Sequence, residues 1–362
     1  MSRYLDASVR LHQYLVDQHW DGQALVGPDP VGKINWRITR FVKSYSRWLP
    51  WKDNLAYMQG QGYWIRGNRS LFDLTGDSGY LELVARTARG IVDRQLSSGA
   101  WEHPPIRGRK RFVSAVESIW ACLGLVSAYR RLGNVSYLDA ALKGYEAIFS
   151  IIGLQRFRNS MGVNYYAHTK HLVPNVTTML LWLMAEMLEL TGDEKLARHS
   201  EKLIRFLEYA QLDHAEFEYV YGLRPHFQCY QYNSFQFLDL CACYVLTRNE
   251  RLHGMLTGLA QFLSAGVSER GSCRYDCRRE NPETNYWTAA IAAALRQAYK
   301  LGLGQYERLS EHAYDRLLSR QNQDGGFFFS DRNYGFLTDR QSYPRQQAMI
   351  LDFLLQRADT QQ

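Results

Sequence analysis

The strongest constraint in this sequence is a turn that repeats. A helix-breaking tetrapeptide follows an apolar run at Leu74-Thr-Gly-Asp77, Arg131-Leu-Gly-Asn134, Leu190-Thr-Gly-Asp193, Leu246-Thr-Arg-Asn249 and Leu301-Gly-Leu-Gly304, at intervals of 57, 59, 56 and 55 residues. A regular period marks an array of units, each burying its apolar face against the next. In most of these turns a glycine supplies the left-handed C-cap of one helix, and the Asp or Asn that follows can cap the start of the next. Each unit therefore reads as a helical hairpin.

The first helices of the hairpins are expected over 54–73, 113–131, 175–190, 229–246 and 284–300, and the second over 78–96, 135–152, 194–210, 250–265 and 304–320. Two helices remain without partners, 343–355 at one end and 4–18 at the other. Tyr4-Leu-Asp-Ala7 matches Tyr137-Leu-Asp-Ala140 of a second helix, so the termini are expected to pair and close a ring of six hairpins, leaving no apolar end exposed. No strand-like alternation competes. The expectation is one all-α domain spanning residues 1–362.

Composition agrees with a large packed core: 46% of the 362 residues are hydrophobic and 22% charged, which excludes disordered and collagen-like chains. Aromatic residues reach 14%, more than helix packing requires, so some rings are expected to line a cavity. The net charge of +7 comes from 34 Arg and 9 Lys against 36 acidic residues, which favours an anionic ligand. The cationic residues are spread among the repeats, with no nucleic-acid-binding module, so nucleic acid is not an expected partner. The stretch from Met179 to Leu190 is interrupted by Glu186 and Glu189, and the start lacks a basic then apolar leader; a cytoplasmic, non-membrane-spanning protein is expected. Six cysteines in so long a chain read as buried free thiols.

On this hairpin pattern the chain resembles an (α/α)6 toroid, the architecture of six-hairpin glycosidases, polysaccharide lyases, sugar epimerases and terpenoid cyclases with protein prenyltransferases. Several second helices end in a pattern similar to the cyclase QW repeat: Phe206-Leu207 with Gln211, Gln95 with Gly99-Ala-Trp101, and Gln321 followed by Asp324-Gly-Gly-Phe327. The resemblance implies that the first helices form an inner ring, with the loops before them building the mouth of a cavity.

The starts of these inner helices are unusually polar and aromatic: Tyr57, Gln61 and Trp64; Glu117; Asn233 and Gln236; Tyr286 and Trp287; and Arg345. Amides beside rings suit a sugar, whose hydroxyls take hydrogen bonds and whose C–H face stacks. The loops add Arg107, His168, His226 and Arg274, able to hold an anionic group. Two chemistries fit. Glu117 and Glu283, from opposite hairpins, could act as acid and base on a glycosidic bond if they stand about 6.5–9.5 Å apart. For an acidic sugar, Tyr232, Tyr286, His168 or His226 could abstract a proton beside a carboxylate neutralised by arginine. Hydrolysis, elimination and epimerisation all remain open, with an isoprenoid enzyme or a toroid that only binds a glycan or protein as alternatives.

No cofactor or metal is expected. Cys273 and Cys277 with Asp276 lack the tight paired spacing of a structural zinc site, and the acidic runs of terpene cyclases are missing, as are Gly-rich phosphate loops and nucleophile elbows.

Overall fold

The computed structural model describes residues 2–30, 42, 45, 53–105, 111–168, 171–213, 215–222, 229–333 and 337–358. Among the described residues twelve α-helices run in the order α1 (Arg3–His19), α2 (Met58–Thr75), α3 (Gly79–Asp93), α4 (Ala115–Leu132), α5 (Val135–Ala147), α6 (Pro174–Thr191), α7 (Ser200–Ala210), α8 (Tyr230–Thr247), α9 (Glu250–Ala265), α10 (Asn285–Lys300), α11 (Glu307–Leu318) and α12 (Pro344–Ala358). Helices α2, α4, α6, α8, α10 and α12 pack in sequence, and α12 returns to α2, closing an inner ring. The fold is an all-α (α/α)6 toroid.

The repeated turns form as their chemistry requires. Gly76, Gly133 and Gly192 end α2, α4 and α6 in the left-handed region, at φ 75°, 68° and 70°. In the fourth turn Arg248 takes the same conformation at φ 53°, which costs a side-chain-bearing residue about 1–2 kcal/mol. Asp77, Asn134, Asp193 and Asn249 each accept a hydrogen bond from the backbone N–H two residues on, starting the returning segment.

Inner and outer helices differ in burial as their positions demand. In α4 every residue from Ala115 to Ala128 is buried, whereas α1 buries a stripe that includes Leu5, Leu11 and Leu15. Gly62 and Gly124 let α2 and α4 approach closely; a Cβ on Gly62 would lie 2.8 Å from the Trp120 carbonyl oxygen.

The termini close the ring. Helix α1 packs on α12, filling the outer place beside it. Gln321 Nε2, just after α11, donates to the carbonyls of Gly325 (2.8 Å) and Ala7 (2.9 Å). Gln95, after α3, makes the equivalent pair to Gly99 and Ala140, both at 2.8 Å. Ala7 and Ala140 are the residues aligned by the Tyr-Leu-Asp-Ala match, so each glutamine ties its own turn to the neighbouring outer helix.

Among the described residues two short antiparallel hairpins depart from the purely helical expectation: Leu154–Phe157 with Ser160–Val163, and Ser330–Asn333 with Leu337–Asp339. Both lie in loops that lead into inner helices. Among the described residues none of the six cysteines is disulfide-bonded, and no helix is long and apolar enough to cross a membrane.

Candidate active site

All six inner helices begin on the face that carries the long loops, so residues at one helical position meet around the ring axis. The second residues are Gln59, Val116, Asn175, Gln231, Tyr286 and Arg345, and all six line one cavity of about 610 Å³. That volume falls within the usual range for small-ligand pockets. One turn deeper Met179, Phe235 and Met349 contribute to the floor. At the same helical position of α2 and α4, Tyr63 stacks on Trp120 with ring centroids 4.0 Å apart. Loop residues Tyr165, Tyr166, Tyr219, Tyr275 and Phe329 complete an aromatic wall.

The third residues include Glu117, Tyr232, Trp287 and Gln346, all in the lining. Glu117 is 1% exposed. Its Oε2 accepts from the backbone N–H groups of Met58 and of Gln59 (3.3 Å), which are unpaired donors at the start of α2. Burial pushes its pKa up to about 7, against the opposing pull of the Arg345 charge and those two N–H bonds. It is therefore a carboxyl able to give or take a proton near neutrality.

Arg345 reaches across the cavity wall to Asp29. The guanidinium binds both carboxylate oxygens, at 2.8 and 3.0 Å, donates to Gln59 Oε1 at 3.3 Å, and lies 4.3 Å over the Tyr57 ring. Tyr57 in turn meets His103 edge to face at 5.3 Å. His103 Nδ1 lies 2.7 Å from the Pro104 carbonyl oxygen, which can only accept, so that nitrogen carries a hydrogen.

The phenols are poor bases here. Burial raises the pKa of Tyr286, Tyr232 and Tyr165 well above that of free tyrosine, keeping each protonated as a donor. Tyr286 Oη accepts from Gln231 Nε2 at 2.6 Å, and its ring stacks on Phe329. Tyr232 packs against Tyr219 with centroids 4.6 Å apart.

Of the sequence-derived candidates, the structure brings Glu117, Tyr232, Tyr286, Trp287 and Arg345 to the cavity and Tyr57 to its edge behind Arg345. Gln61, Asn233 and Trp64, also expected at the cavity, face elsewhere. Gln61 and Asn233 are the fourth residues of α2 and α8, a position that turns toward the preceding loop. Gln61 bonds both the N–H and the carbonyl of Leu25 at 2.8 Å, and Asn233 accepts from Phe217 N–H at 2.7 Å. Gln347 of α12 makes the same pair to Phe327. Trp64 is fully buried between ring layers, stacked on His12 of α1 at 4.7 Å.

Glu283 is the largest correction. It precedes α10 by two residues and points outward, bound by Arg316 at 2.8 and 2.6 Å, by Arg320 at 3.0 Å, and by the Cys273 N–H at 3.0 Å. Burial alone would raise its pKa, but these arginines hold it below the ordinary carboxylate value. The facing pair of Glu117 and Glu283 is not formed.

Gln236, with its amide oriented to match its partners, accepts from the Asn175 N–H at 3.0 Å and so serves the start of α6 much as Glu117 serves α2. His168 is exposed, stacked on Tyr166 at 5.7 Å above the lining, and Arg274 lies exposed on the loop before α10. Arg107 and His226 lie outside the described residues. Sequence reasoning did not single out Asp29, Tyr219 or Tyr275, which sit in loops without helical periodicity to place them.

No protein-family model matches the chain, and no curated protein matches it by sequence. Solved structures do. A family 76 glycoside hydrolase from a bovine Bacteroides thetaiotaomicron strain superposes with a TM-score of 0.73 at 14% identity, covering 100% of this chain and 78% of that one. A cellobiose 2-epimerase from Bacillus thermoamylovorans does so at 0.72 and 12%, covering 99% and 100%. A polysaccharide lyase gives 0.70 and 11%, covering 99% and 97%. At these identities the likeness establishes the six-hairpin toroid and leaves the chemistry to the site itself.

Proposed function

We propose that this chain is a carbohydrate-active enzyme that seats a neutral, hydroxyl-rich sugar in the cavity and moves a proton through Glu117. The observation that carries this reading is one carboxyl with a pKa near 7 set among stacked rings and amides. Rings offer faces to sugar C–H groups, and Gln59, Asn175, Gln231 and Gln346 offer both donors and acceptors to hydroxyls. The fold's neighbours, a glycoside hydrolase, a polysaccharide lyase and a sugar epimerase, agree with that substrate class.

A neutral sugar fits better than an acidic one. Among the described lining residues Arg345 is the only guanidinium, and Asp29 already neutralises it. The exposed arginines expected to favour an anion lie on the rim or outside the described residues.

Proton transfer at a sugar carbon fits better than two-carboxylate hydrolysis. Glu117 is the only carboxyl among the described lining residues, while protonated phenols stand ready to donate to an oxygen that gains charge. In an open-chain reducing sugar Glu117 would take the proton from the carbon next to the carbonyl, and a phenol would stabilise the enolate oxygen. If the planar enolate turns about its C2–C3 bond so that its other face meets Glu117, return of the proton from that carboxyl to carbon 2 gives the epimer.

The test is incubation with reducing mono- and disaccharides in D2O. Deuterium appearing at carbon 2, without new reducing ends, is the expected result. New reducing ends with no exchange would identify a hydrolase and overturn the proton-transfer reading.

A further inference from the structure

A second cavity, of about 710 Å³, opens on the same face of the ring, over the hairpin of α2 and α3. It is lined by Asp53, Asn54, Arg94, Trp101, Glu102 and Arg111, among others, and none of these belongs to the first cavity. Among the described lining residues the two share one, His103. That ring stands as the partition: held by its Nδ1 bond to the Pro104 carbonyl, it packs edge-on against Tyr57 on one side and stacks on Phe112, 5.0 Å away, on the other.

The lining of the second chamber is unlike the first. Its described residues bring two carboxylates and two guanidiniums around an apolar back of Leu55, Ala56, Met58 and Leu96. Arg111 pairs with Glu102 at 3.4 Å, and Arg94 donates to the Gly90 carbonyl at 2.8 Å. Such a surface holds donors and acceptors of both kinds without selecting a net charge, which suits a string of hydroxyls. Each chamber is alone large enough for a small ligand.

We infer that the two chambers form one binding cleft for a neutral oligosaccharide, with the reacting unit in the first and the following units in the second, across the edge of His103. The inference rests on the carbohydrate reading above and adds to it the length of the substrate. A monosaccharide fills the first chamber only, so affinity grows as the chain extends past His103.

The experiment is calorimetric titration of the full chain with glucose and the cello-oligosaccharides up to four units, and with mannose and the corresponding manno-oligosaccharides. The expected result is that at least one series gains about tenfold or more in affinity between one and four units, a change of about 1.4 kcal/mol. Asn54→Trp, a substitution at an exposed position that fills the second chamber, should reduce that ratio of long to short toward one. A thermal melt in the same buffer checks that the variant is folded. Equal affinity for short and long sugars in the native protein would overturn the two-chamber cleft while leaving the carbohydrate reading in place, as would a length dependence that Asn54→Trp does not change. Binding of no sugar in either series would overturn both.

Discussion

Gln321 donates to the carbonyl of Ala7 across 314 residues of sequence, at 2.9 Å, and this bond joins the last complete hairpin to the first helix of the chain. Gln95 makes the same contact with Ala140 inside the array, so the closure of the ring reuses the bond that links consecutive repeats. Gln321→Ala is expected to lower stability by about 1–3 kcal/mol, the cost of leaving a buried acceptor unpaired, and Gln95→Ala by a similar amount. Deleting residues 1–20 should do far more, exposing the faces that Leu5, Leu11 and Leu15 cover and causing aggregation. Chemical denaturation of the two point variants and the deletion checks this; a deletion that melts like the full chain would contradict closure.

Glu283 anchors α11 to the loop before α10 through Arg316 and Arg320. Glu283→Gln removes the charge between two arginines, of which Arg320 keeps Asp331 at 2.6 Å and Arg316 is partly exposed, so a destabilisation of about 1–3 kcal/mol is expected, the scale of lost charged hydrogen bonds. Its folded pKa lies below the unfolded value near 4.3, so the ion pair stabilises the fold above that value and the contribution is lost as pH falls through the lower, folded one. Urea midpoints from pH 7 down to pH 3 should fall more steeply in the native protein than in Glu283→Gln.

His12 supplies a separate pH dependence at milder acidity. Burial against Trp64 lowers its pKa to about 4, although its bond to Asn68 favours the charged form. The unfolded imidazole binds a proton near 6.5, so stability is complete above that value and declines as pH falls from there toward 4. NMR titration should find His12 neutral at pH 5.5 in the folded protein. A resonance that titrates near 6.5 would show that the imidazole is not buried as described.

The charges around Glu117 set its pKa and can be changed one at a time. Arg345 lowers it and Asp29 raises it, so Asp29→Asn should move the Glu117 transition below 7 and Arg345→Met should move it above. Difference infrared spectroscopy of the carboxyl stretch, or the pH profile of activity, reads both directions. Shifts of the same sign in the two variants would contradict the electrostatic assignment.

The turns, the count of hairpins and the pairing of the termini were legible because each rests on local chemistry: a left-handed glycine, an Asp or Asn cap, the Tyr-Leu-Asp-Ala match. Which side chains face the axis was less so. One residue of error at a helix start rotates every side chain by about 100°. Helix α4 was expected from 113 and begins at Ala115, which hid that Glu117 is a third residue, whereas Glu283 lies before its helix altogether. Counted from the observed starts, the residue matching Glu117 in α10 is Trp287. The fourth-residue ties of Gln61, Asn233 and Gln347 look in sequence like polar cavity groups, and only the loops they bind reveal their role. Asp29 comes from an irregular segment that no period could place.

The central claim is that Glu117 is the group through which the proton moves. Its most direct test is the pH dependence of kcat/KM for the native protein, Glu117→Gln and Glu283→Gln, measured on whichever reducing sugar shows exchange at carbon 2. The account predicts a transition near pH 7 in the native protein and a loss of at least about a hundredfold in Glu117→Gln. It also predicts that the transition survives in the folded fraction of Glu283→Gln. Native-like kcat/KM in Glu117→Gln, with the same transition near pH 7, would contradict it.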